Sequence, residues 1–120
     1  MLTTPHAQSL GLKAKLFRGF ADPSRLSLLE ALRDDARSVG ELVEVTGLSQ
    51  SNVSNHLACL LDCGLVDREP RGRRVIYRLA DARVGTLLGL ADEIVDEVGE
   101  GMDACGRLDA TVLRTRVAAR

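Results

Sequence analysis

The sequence predicts a mainly α-helical chain with one β-hairpin, a winged helix-turn-helix that pairs as a dimer. Three observations predict it. Two short helical segments meet at a tight glycine turn, at Gly47. Two short alternating runs follow at once, on either side of an arginine-rich tip. The 120 residues include no Trp, one Tyr and two Phe, so the core must be Leu, Val and Ala, which fill helix seams and gain further burial across a dimer interface.

The elements follow in order. Residues 1–7 read as frayed. Residues 8–20 carry Leu10, Leu12, Leu16, Phe17 and Phe20 at roughly helical spacing, interrupted by Gly11 and Gly19. Asp22-Pro23 opens the next helix, with Asp as N-cap and Pro at the first helical position. Leu26, Leu29 and Leu32 form its apolar face, and it is expected to end near Asp34-Asp35. Ser38 followed three residues later by Glu41 is a capping box, with Leu42 and Val43 turned inward and Gly47 as the C-terminal stop. Ser49 caps a further helix that runs to about Asp62, where Gly64 stops it. Leu65–Glu69 and Val75–Leu79 are expected as strands, joined by Pro70 to Arg74. A last amphipathic helix over 82–98 carries Leu87, Leu88, Leu90, Ala91, Ile94, Val95 and Val98, a band wide enough to require a partner chain. Residues 99–120, with three glycines, read as a tail with a short helix over 108–118. The division is therefore one winged helix-turn-helix domain over 1–100, expected to pair with a second copy, and a tail over 101–120.

Net charge is −1, so composition alone does not point to nucleic acid. Its distribution is uneven. Residues 1–80 carry 11 Lys/Arg against 9 Asp/Glu, including Arg71, Arg73, Arg74 and Arg78, whereas residues 81–120 carry 5 against 8. By charge alone these are two solvated faces. No leader or run of about 18 apolar residues is visible, so the expectation is a cytoplasmic protein with no membrane contact. No phosphate loop or acid/base pair suggests an enzyme, and the chain has only two histidines, one of them His6.

The cysteines carry the chemistry. Cys59 and Cys63 are four apart on one predicted helix, so their Cβ atoms lie about 5–6 Å apart, close enough for two thiolates to share an ion. At about 100° per residue, Val53, Leu57, Leu60 and Leu61 form one apolar stripe, and the two cysteines fall roughly 90–120° or more from its centre, beside Asn52 and His56. Buried cysteine packed as a small hydrophobe is the usual alternative, and this face does not suit it. A thiol-redox pair without metal is the second alternative, although i, i+4 placement on an intact helix is poor for a disulfide.

These residues resemble the ArsR/SmtB metal-responsive repressors over about residues 8–100. The resemblance rests on Ala21-Asp-Pro-Ser-Arg25, Leu48-Ser-Gln-Ser-Asn-Val-Ser-Asn-His-Leu57, Gly64-Leu-Val66 and Gly72-Arg-Arg-Val-Ile-Tyr-Arg78. It implies a homodimer, joined through the N-terminal and last helices, that binds double-stranded operator DNA as a repressor and is released by metal. One site type of the family, a Cys-x-Cys pair on the first helix of the helix-turn-helix, has no counterpart in Val39–Val45. A second, with His on the last helix, finds only carboxylates such as Asp92 and Asp96. The cysteine pattern is similar to the cadmium/lead-sensing branch, which implies Cys59, Cys63 and a third thiolate, Cys105, from the tail of the other subunit. Three thiolates suit Pb(II), As(III) or Sb(III), or Cd(II) with one further ligand. His56 is either that ligand or a hydrogen-bonded structural histidine. On the DNA side the expectation is Gln50, Ser51, Asn52, Ser54 and Asn55 against base edges and phosphates, and Arg71, Arg73 and Arg74 at the wing.

Overall fold

A computed structural model describes residues 5–103. The element order is α1 (Pro5–Ala21), α2 (Pro23–Ala31), β1 (Arg37–Ser38), α3 (Val39–Thr46), α4 (Gln50–Asp62), β2 (Val66–Arg71), β3 (Arg74–Leu79) and α5 (Ala82–Asp103). The described chain forms two compact units that meet at Gly85 and Thr86, inside α5.

The first unit is the winged helix-turn-helix. Asp22 caps α2 by accepting the Arg25 backbone N–H at 3.0 Å, and Pro23 occupies the first turn, where its missing N–H costs nothing. Arg25 also reaches back: its guanidinium donates to the carbonyls of Arg18 at 2.9 Å and Gly19 at 3.3 Å, satisfying the orphan end of α1. The capping box of α3 is complete, and Gly47, at φ 76°, ends that helix in the left-handed conformation that glycine adopts without a Cβ penalty. Helices α2, α3 and α4 pack on one another. Leu28, Leu29, Leu42, Val53, Leu57 and Leu60 are fully buried among them, with Leu65, Val66 and Tyr77 closing the core from the sheet side. Gly19 is buried where a Cβ would stand 2.7 Å from the Leu65 side chain, so this glycine permits a close approach.

The structure adjusts several boundaries. α1 begins at Pro5, inside the stretch expected to fray. α2 ends at Ala31, several residues early, and Arg37–Ser38 then forms an unexpected strand. The sheet is therefore three-stranded, in the order β1-β3-β2, with Arg37 opposite Tyr77 and Ser38 opposite Ile76. A two-residue strand is too short to show an alternating pattern in sequence. The hairpin pairs out to Arg71 opposite Arg74, leaving Gly72 (φ 63°) and Arg73 as the turn. The expected five-residue tip was too long because Pro70 reads as a breaker, yet it is tolerated on β2, which lies at the sheet edge.

In the second unit α5 continues to Asp103, beyond the expected end at 98, so Gly99 and Gly101 are helical. Leu88 is buried, whereas Leu90, Ile94 and Val98 are about half exposed. α1 also presents exposed Leu10, Leu12 and Phe17. Among the described residues no helix is long and apolar enough to cross a membrane. Cys105 and the expected helix over 108–118 lie outside the described residues.

Candidate functional site

Helix α4 sorts its residues by face. Val53, Leu57 and Leu60 anchor it in the core, and the opposite side presents Gln50, Ser51, Asn52, Ser54, Asn55, Ala58 and Cys59, all exposed. Ser49 fixes the helix start: its hydroxyl accepts the Asn52 backbone N–H at 3.2 Å and lies 3.4 Å from the Ser51 hydroxyl. The side chains of Asn52 and Asn55 are left to face solvent on the first turns, the part of a helix-turn-helix that meets base edges.

The cysteine pair sits at the other end of the same helix. Cys59 is exposed and Cys63 half-buried, and both are free thiols. Cys63 is the C-cap, still in right-handed helical geometry, and its N–H donates to the Cys59 carbonyl at 3.0 Å. That bond holds the two residues one helical turn apart on one side. Gly64 then turns the chain away at φ 77°. As a donor set the pair fits a soft ion, but two thiols make only part of a site. Among the described residues no group of three or more His, Cys, Asp or Glu is placed to hold a metal. His56 is half-buried on α4.

The arginines of the wing fall into different settings. Arg73 is exposed in the turn, and no ion pair or side-chain hydrogen bond involves it among the described residues. Arg71 is exposed on β2 with a long approach, 3.9 Å, to Glu69. Arg78 is taken up by Glu69 at 2.7 Å and lies 4.0 Å from Asp67. The Arg78 hydrogen bond, with the Arg71 charge behind it, holds the Glu69 carboxyl below its ordinary range. Arg74 turns toward α3: one guanidinium nitrogen donates to the Ser38 hydroxyl at 2.8 Å and to Glu41 at 2.9 Å. The backbone N–H of Ser38, its hydroxyl and then the charge of Arg74 lower the Glu41 pKa. Sequence reasoning found the Ser38–Glu41 capping box but not its arginine, because Ser38 and Arg74 are 36 residues apart and no local pattern reports the contact.

A helix-turn-helix with an exposed polar reading helix and a basic hairpin beside it defines a DNA-binding transcriptional regulator, not an enzyme. The profile of the arsR family of bacterial regulatory proteins matches residues 22–68. A probable mercury resistance operon repressor from Streptomyces lividans is 40% identical over 95 residues, covering 79% of this chain and 76% of the relative. The chain belongs to the ArsR family. The transcriptional regulator CmtR of Mycobacterium tuberculosis is 46% identical over 82 residues, 68% of this chain and 70% of its own. The NMR structure of CmtR, described as a cadmium metal-sensor, aligns with 63% of this chain and 79% of that one at TM-score 0.57 and 49% identity. A homodimeric winged helix-turn-helix DNA-binding domain from Mycobacterium bovis aligns at TM-score 0.73 and 26% identity, over 90% of this chain and 97% of the other.

Proposed function

We propose that this protein is a homodimeric repressor that leaves its operator when a thiophilic ion binds Cys59, Cys63 and Cys105. The observation that carries the reading is the placement of two free thiols, one exposed, on the helix whose opposite end presents Asn52 and Asn55. An ion bound there acts on the reading helix itself. Likeness to a cadmium sensor supports the ion class, as does likeness to a probable mercury resistance repressor, since both metals favour sulfur ligands. Cd(II), Pb(II), As(III) and Sb(III) are the effectors to test, with Hg(II) added because of the Streptomyces relative.

Residues 1–100 form the DNA-binding and dimerisation domain in this proposal, and 101–120 the tail that brings Cys105. Gln50, Ser51, Asn52, Ser54 and Asn55 meet the major groove, while Arg71 and Arg73 meet the backbone beside it. A second copy covers the exposed apolar residues of α1 and of α5, which are too many to leave in water. When bound, the ion supplies a bridge between thiolates. Ligation displaces thiol protons, so affinity falls as pH falls.

The test is a titration of the reduced protein with each ion, following sulfur-to-metal absorption and operator release together. Cys59→Ser should bind operator like the wild type and keep it at ion concentrations that release the wild type. Typical allosteric couplings are about 1–3 kcal/mol, so release should appear as a roughly 5–150-fold loss of operator affinity. Unchanged release by the Cys59→Ser protein would remove the site.

A further inference from the structure

Arg74 looks in sequence like one more cation for the DNA backbone. Its surroundings assign it elsewhere. One guanidinium nitrogen donates to both Ser38 Oγ (2.8 Å) and Glu41 Oε1 (2.9 Å). Those two acceptors are already ordered by each other: Ser38 Oγ accepts the Glu41 backbone N–H at 3.2 Å, and Glu41 Oε1 accepts the Ser38 backbone N–H at 2.9 Å. An exposed ion pair normally gains little because two long side chains must be immobilised together. Here the capping box has immobilised one side in advance, so only the arginine must be ordered. Two residues further along, the same strand pairs Ile76 with Ser38 through the backbone. The tip end of the wing is thus attached to the first turn of α3 by side chain and, two residues along, by main chain. Arg74 stands next to Arg73 and opposite Arg71, at the point where the hairpin enters its turn.

We infer that Arg74 is a positioning residue: by holding the Ser38–Glu41 capping box it sets the direction of the wing relative to the helix-turn-helix, so that Arg73 reaches DNA, and it does not itself contact the phosphates. The inference rests on the DNA-binding reading above. It assigns the charge-neutralising contact at the tip to Arg73 and makes α3, which carries none of the proposed base contacts, part of the device that aims the wing.

The two roles differ in salt dependence. Each phosphate contact adds roughly 0.9 to the slope of log affinity against log salt. The probe is a duplex selected from a random-sequence pool by the wild-type dimer, and affinities are measured across a salt series. Arg73→Ala should lower the slope by about one. Arg74→Ala should lose affinity by roughly tenfold and also lower the slope by about one, because Arg73 no longer reaches the DNA, but Arg74→Ala added to Arg73→Ala should lower it no further, whereas two separate phosphate contacts would give a loss of about two. In a Glu41→Ala background the Arg74→Ala change should lose most of its effect, because the residue acts through that carboxylate. Tyr77, the only tyrosine, lies on β3, so 3-fluorotyrosine gives one ¹⁹F resonance for the hinge of the wing. Arg74→Ala should shift it in the free protein and Arg73→Ala should not.

A slope lowered by about two in the Arg73→Ala/Arg74→Ala double variant, or a full affinity loss that persists in the Glu41→Ala background, would overturn the inference and leave the DNA-binding reading standing. A wild-type dimer that selects no duplex would overturn both. The slope of the Arg73→Ala/Arg74→Ala double variant alone decides the matter if Glu41→Ala, which also loses half of its capping box, does not fold.

Discussion

Single residues in this chain do work that their type alone does not announce. Gly19 lies in α1, where glycine lowers helix propensity by about 1 kcal/mol relative to alanine. Its position is nonetheless constrained, because an added Cβ would stand 2.7 Å from a Leu65 side chain that is itself buried. Gly19→Ala should therefore destabilise the fold by about 1–3 kcal/mol despite the better helix former, seen as a lower urea midpoint at unchanged slope. Gly11, with nothing near its Cβ position, is the control, and alanine there should be neutral or mildly stabilising. The cysteines were legible for a similar reason of position. The wheel separated Cys59 from Val53, Leu57 and Leu60, and the structure leaves Cys59 exposed while burying those three. Cys63 was less legible: its place as C-cap, bonded to the Cys59 carbonyl, depends on where the helix stops.

At the scale of elements, caps were the most readable feature. Asp22, Ser38, Ser49 and Gly47 all mark helix ends in the structure, because each satisfies an orphan backbone group with a side chain or conformation only a few residue types provide. The errors fall where local chemistry is silent. The end of α2 has no glycine, and β1 is only two residues long. The extension of α5 through Gly99 and Gly101 was missed because two glycines outweigh one helical period in a local reading. The start of α5 gives a pH prediction. Asp81 accepts the Arg83 guanidinium at 2.7 Å and the Arg83 backbone N–H at 2.8 Å, which lowers its pKa from 3.8 to about 2. A carboxylate held below its unfolded value stabilises the fold above about pH 4, and that contribution is lost as pH falls towards 2. Glu41 and Glu69 are shifted in the same direction. Denaturant midpoints should fall as pH is lowered from 5 to 2, and Asp81→Asn should make that fall shallower. An equally steep profile in the variant would show that Asp81 does not contribute.

For the whole molecule, the apolar residues left in water set the expectation. Leu10, Leu12 and Phe17 on α1, and Leu90, Ile94 and Val98 on α5, are each exposed in one chain. A wide α5 band was legible in the sequence, and its exposure in the single chain is what dimerisation by that helix requires. Ile94→Asp should convert the protein to a monomer in sedimentation velocity. It should also cost roughly a hundredfold in operator affinity, since one reading head loses the linked second one. A variant that remains dimeric would place the interface elsewhere. What the sequence could not show at this scale is how distant segments meet, and β1 is the instance with the widest reach. Viewed as a polymer, the chain from Ser38 to Arg74 is a ring fastened by a two-residue clasp. The entropy of closing such a ring changes by only about 0.6 kcal/mol for each doubling of its length, so the clasp tolerates length changes far better than shifts in register. The ring holds α3, α4 and β2, and β3 supplies the other half of the clasp. Neither the reading helix nor the hairpin can drift away from the other without opening the clasp, and slack introduced in one part of the ring is shared by the rest.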